Sequence, residues 1–152
     1  MADLLEGLRQ SFADPVTRHA MLVHFPIAVS LLAIPFVLIL PFLGSRKATT
    51  YRVVLALTLF VVAVVAWQAG EAGEAALPVV EARLPSQNAR EVLNRHATIG
   101  ERVPLLMAGT SLLIGATVVR VRWIRLGTSM LAIGAAVATS VVVVIASHDG
   151  GR

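Results

Sequence analysis

The chain has 152 residues, 57% of them apolar and 14% charged, with a mean hydropathy of +0.79; a soluble domain runs nearer about 45–50% apolar and about 25% charged. The excess gathers in runs of roughly membrane-spanning length, which excludes a soluble globular enzyme and leaves room for one domain. Cysteine is absent, so disulfides, covalent C-x-x-C-H haem attachment, thiolate-ligated clusters and blue-copper ligation are excluded as well.

Residues Ala2 to Ala13 place Leu4, Leu5, Leu8 and Phe12 at helical spacing and read as an interfacial helix. Asp3 and Glu6 precede the first basic residue, Arg9, which is the reverse of a secretory signal. Asp14-Pro15 then forms an N-cap followed by proline at a first helical position. The predicted spans cover about 21–43, 53–69, 103–119 and 126–146. The first can start as early as Pro15, and the third can extend back through Ala89 to Gly100. Prolines at 26, 35 and 41 interrupt span one and Pro104 opens span three. They free the carbonyls of Leu22 and Gly100, close to His24 and His96, although prolines also simply bend membrane helices. No internal repeat or low-complexity segment stands out.

Charge placement sets the orientation. The turn after span one carries Arg46, Lys47 and Arg52, and the turn after span three carries Arg120, Arg122 and Arg125, with no acid in either. All nine carboxylates fall on the other side. By the positive-inside rule both basic turns face the cytoplasm and both termini face outward. The net charge of +4 and the pI near 11.0 follow from this topology and not from a nucleic-acid surface. The predicted fold is therefore all-α, an integral membrane four-helix bundle with both termini and outer-face interfacial helices on the outer side.

The outer loop, about 70–99, holds Pro78 and Pro85 and then Ser86-Gln87-Asn88, a helix start. Val92, His96, Ile99 and Val103 follow three or four residues apart, an apolar stripe that runs into span three. Trp67 and Trp123 fall near opposite water interfaces, as aromatic belts do.

Four histidines, His19, His24, His96 and His148, all fall at the outer boundary and come from three helix ends. Ionisable residues at membrane depth point to a functional site. Neutral imidazole ligates metals and haem iron, and histidines without cysteine suit non-covalent haem b. His19 and His24 are roughly 140° apart around a helix, so an unbroken helix cannot give both to one iron. Gly70, Gly73, Gly100, Gly109 and Gly134 would let a flat porphyrin approach, or would bring membrane helices together. Glu71 and Glu74, three residues apart, offer the alternative of a His/Glu site for iron or copper, though no E-x-x-H spacing supports a di-metal centre. In the plainest reading the histidines snorkel at the interface or bond nearby carbonyls, and no cofactor is bound.

The ordered set His19-x-x-x-x-His24-Phe25-Pro26, Trp67-x-x-Gly70-x-x-Gly73, His96-x-x-x-Gly100 and His148-x-Gly150-Gly151 resembles the bacterial four-helix membrane family catalogued as domain of unknown function 2231. Ala20 stands where that family commonly has proline. Some members are joined to cytochrome c-type domains, and the resemblance accordingly implies redox work in a bacterial inner membrane, with the termini and the histidines on the periplasmic side.

The expectation is a haem b-binding electron-transfer protein or subunit, with His19, His24, His96 and His148 as candidate ligands. It would be a carrier more than a stand-alone enzyme. Its partners would be membrane lipid, a cytochrome c-type protein or quinol, and other membrane subunits or further copies of itself. The alternative is a cofactor-free accessory subunit of a larger membrane complex.

Overall fold

The computed structural model describes residues 2–44 and 47–150, without the side chains of residues 2–4, 8 and 47. Every regular element among them is helical: α1 (Ala2–Ala13), α2 (Pro15–Leu38), a 3-10 turn (Leu40–Phe42), α3 (Lys47–Glu81), α4 (Gln87–Gly100), α5 (Val103–Ala116) and α6 (Arg122–Gly150). Four segments are long and apolar enough to cross a membrane: Pro15–Phe42, Ala48–Glu81, Gln87–Ala116 and Arg122–Gly150. Each buries only 28–39% of its most apolar stretch within the bundle, which leaves Leu31, Leu32, Phe36, Leu57, Leu105, Leu112 and Leu131 facing outward, where lipid receives them.

Local chemistry fixes the helix starts. Asp14 caps α2, its carboxylate accepting from the Thr17 amide at 2.8 Å, and Pro15 occupies the first turn. Ser86 caps α4 by accepting from the Ala89 amide at 3.3 Å. The helix predicted over residues 2–13 is α1, packed on α2. Leu5 and Phe12 are exposed on it, while Leu4 and Leu8 lie outside the described side chains.

The boundaries differ most at the third helix. The helix that carries the span expected over about 53–69 continues to Glu81, with Pro78 inside it. Its 35 residues make a rod of about 52 Å, against roughly 30 Å of hydrocarbon, so its last turns rise beyond the membrane core. The expected loop of about 70–99 is thus mostly helix, and only residues 82–86 join α3 to α4. At its other end α5 stops at Ala116, before the expected 119; the buried Thr117 hydroxyl donates to the Ile114 carbonyl at 2.6 Å and ends the run.

Helix α2 packs against α3 and α6, and α5 packs against the same two. The core is built of small and medium side chains, with Ala132 and Ile114 fully buried and Val37 and Met107 nearly so. Hydroxyls stitch across it: Ser111 donates to the Ala56 carbonyl at 2.8 Å and Ser140 to the Ser30 carbonyl at 3.0 Å. At the end holding the basic turns, Arg52 is buried and donates through Nη2 to the Leu43 carbonyl at 2.7 Å, a cation held at the carbonyl end of the preceding helical run. Arg46 lies outside the described residues. The opposite end gathers the start of α2, the ends of α3 and α6, and the whole of α4.

Candidate functional site at the histidine end

Between α2, α3, α4 and α6 lies an open cavity of about 480 Å³. Its walls are mainly apolar, from Val16, Leu77, Val80, Val92 and Leu93, with glycine at 70, 73, 100 and 150. Two of the four histidines line it, His19 and His96.

Both are held the same way. His19 Nδ1 lies 2.7 Å from the Ala69 carbonyl of α3, and His96 Nδ1 lies 2.9 Å from the Ala146 carbonyl of α6. A carbonyl oxygen only accepts, so in each ring Nδ1 carries the proton and a neutral ring keeps its lone pair on Nε2. That is the arrangement of a metal-ligating histidine whose second nitrogen is fixed by a backbone acceptor. The two ring centroids are 6.0 Å apart and the planes stand at 88°. The two histidines, 77 positions apart, meet because each leans from its own helix onto a different neighbour.

Glycine makes the seat for each ring. A Cβ placed on Gly73 would fall 2.9 Å from Nδ1 and 3.0 Å from Cε1 of His19. One placed on Gly150 would fall 2.8 Å from Cε1 and 3.1 Å from Nδ1 of His96. By contrast, a Cβ on Gly70, Gly100, Gly109 or Gly134 would meet open space. These two glycines and the two alanine carbonyls escape a reading of side-chain chemistry, because their contribution is a missing atom and a backbone oxygen. The signal available in the sequence is the spacing A-x-x-x-G, present at 69–73 and again at 146–150.

The remaining candidates stand apart from the pair. His24 is exposed on α2 and donates from Nδ1 to the Ala20 carbonyl of its own helix at 2.6 Å. It uses neither proline-freed carbonyl. His148 is exposed in the last turn of α6 and does not line the cavity. Glu71 accepts from the Trp67 indole at 3.1 Å; Glu74 lines the cavity but is exposed. Among the described residues no three of His, Cys, Asp and Glu come together closely enough to hold a metal ion. Beside His96, the Arg95 guanidinium grips both oxygens of the buried Asp149 carboxylate, with Nε at 2.7 Å from Oδ2, and ties α4 to α6.

An apolar cavity with two tautomer-fixed imidazoles, their rings nearly perpendicular, thus lies at one end of a membrane bundle. Comparisons with known protein families, with curated proteins and with solved structures find no match to this chain.

Proposed function

We propose that the protein binds haem b in this cavity, with His19 and His96 as the two iron ligands, and relays single electrons at the outer face of a bacterial inner membrane. What carries the reading is the donor set. Two imidazoles are too few to retain a bare ion, which usually takes three or four protein ligands, whereas a porphyrin brings four nitrogens of its own and asks two of the protein. Both imidazoles line the one cavity with ring centroids 6.0 Å apart, so His19 and His96 would be the residues to hold such a group. The cavity, about 480 Å³, falls within the roughly 300–1,000 Å³ of small-molecule sites.

When bound, haem b supplies a reversible one-electron couple. The chain's own residues bind and orient. The carbonyls of Ala69 and Ala146 hold the Nδ1 protons, which leaves each Nε2 lone pair for iron. Val16, Leu93 and the other apolar lining residues would give such a group an apolar seat. The acid-free basic turns support a cytoplasmic position for the opposite end, which puts the site on the side of a soluble cytochrome c-type partner or at the depth of a quinol headgroup. The motif resemblance to domain of unknown function 2231 leans the same way.

The second reading is a cofactor-free accessory subunit. It is favoured by the same carbonyl bonds, which tie α2 to α3 and α4 to α6 whatever fills the cavity.

An oxidised-minus-reduced visible spectrum of protein purified from haem-replete cells, with metal analysis on the same sample, separates the two. A Soret band with sharp reduced α and β bands is the expected result. A featureless spectrum and no metal would leave the accessory subunit standing.

A further inference from the structure

The two halves of the site are one construction made twice. His96 lies 77 residues after His19, Ala146 lies 77 after Ala69, and Gly150 lies 77 after Gly73. In both copies the histidine and its carbonyl partner are 50 residues apart. The tripeptide Arg-His-Ala occurs at 18–20 and again at 95–97. Val16 and Leu93, each three residues before its histidine, both line the cavity. Helix packing obeys the same exchange, since α2 lies against α3 and α6 while α5 lies against α6 and α3. A single offset therefore maps one hydrogen bond, one glycine seat and one tripeptide onto their counterparts.

We propose that the chain is a tandem duplicate of a two-span unit and that its site takes one metalloporphyrin per chain, one imidazole from each copy, with Gly73 and Gly150 as the positioning residues. The identity of the ligand rests on the haem reading; the positioning role does not. The physical argument is steric. A methyl group at either glycine overlaps a ring edge, and a ring on a flexible side chain yields before a helix does. The fold therefore survives, but the displaced imidazole gives up its carbonyl, and with that bond goes the constraint that keeps the lone pair on Nε2.

The test uses the full chain in detergent and four variants. Gly73→Ala and Gly150→Ala carry the prediction. Gly109→Ala and Gly134→Ala, where a methyl meets nothing, are the matched controls. The first readout is nitrogen-15 NMR of histidine-labelled protein without haem, which reports the ring tautomer. His19 and His96 are expected as the Nδ1–H form in the parent and in both controls; Gly73→Ala releases His19 alone and Gly150→Ala releases His96 alone. The second readout is titration with haem b. One haem per chain is expected, and each of the two seat variants should bind about 10–100-fold more weakly, as losses of a ligand's supporting contact do, or lose the low-spin spectrum, and to a similar degree.

Tautomers that do not move in the seat variants overturn the positioning role, and two haems per chain overturn the shared centre. A parent that binds no haem while its tautomers respond as described overturns the haem reading and the stoichiometry, and upholds Gly73 and Gly150 as positioning residues.

Discussion

An imidazole offers two nitrogens, and at this site a backbone oxygen chooses between them. What separates the histidines is where that oxygen lies: on a neighbouring helix for His19 and His96, and on its own helix for His24. His19→Ala or His96→Ala should abolish the low-spin haem spectrum, while His24→Ala and His148→Ala should leave its bands in place; the same difference spectrum reads all four. Sequence position brought the four to one layer but could not select among them, because the selection depends on which carbonyl each ring meets across the bundle. The separation of His19 from His24 was legible, since five residues on a helix turn the two rings to different faces. Asp14 makes a further residue-scale case. Its bonds from the Thr17 hydroxyl and amide hold the carboxyl below its ordinary value. The folded value is the lower one, so the cap's contribution is complete above the ordinary carboxylate range and is lost as pH falls through the folded value. Amide exchange in the first turn of α2 should accordingly speed up in acid. Asp14→Asn, which still caps but does not titrate, should flatten that dependence.

Single helices show where hydropathy misleads. The apolar run of α3 ends near Ala69, yet the helix continues for about three more turns through glycines, glutamates and Pro78, the last of which removes one ladder bond without ending it. The site depends on that continuation, because Gly73 lies beyond the apolar run. Capping residues were readable at Asp14 and Ser86, where a side-chain oxygen three residues before an amide is a local matter. The end of α5 was not, because a threonine bonding back to Ile114 looks like any other residue of an apolar stretch. On α6, Ser129, Ala132, Ala136 and Ser140 are buried at the contact with neighbouring helices, and their small size permits that closeness. Ala132→Leu should overfill the contact and cost about 1–3 kcal/mol of stability, read as a lower midpoint of thermal unfolding in a mild detergent.

For the molecule as a whole, the absence of cysteine makes the topology directly measurable. Single cysteines at Ser11 and Glu91 should react with an impermeant maleimide added to intact cells, while single cysteines at Thr50 and Val121 should react only after lysis. The reverse pattern would turn the bundle over and move the site to the cytoplasm. The duplicated architecture was illegible in the sequence for a plain reason. What the copies share is a tripeptide and an A-x-x-x-G spacing, too little to see among apolar runs that tolerate almost any exchange of Val, Leu and Ala. Only the hydrogen bonds made the offset visible.

Helix α4 forms a wall of the cavity and yet has no buried residue of its own. It is joined to α3 by a five-residue link (82–86) and to α5 through Glu101 and Arg102, and is held to α6 by the His96 bond and the Arg95–Asp149 pair. The four-helix core closes without it. If the cavity takes a ligand, entry past this wall would ask the first turns of α4 to move and would leave the buried core of α2, α3, α5 and α6 in place.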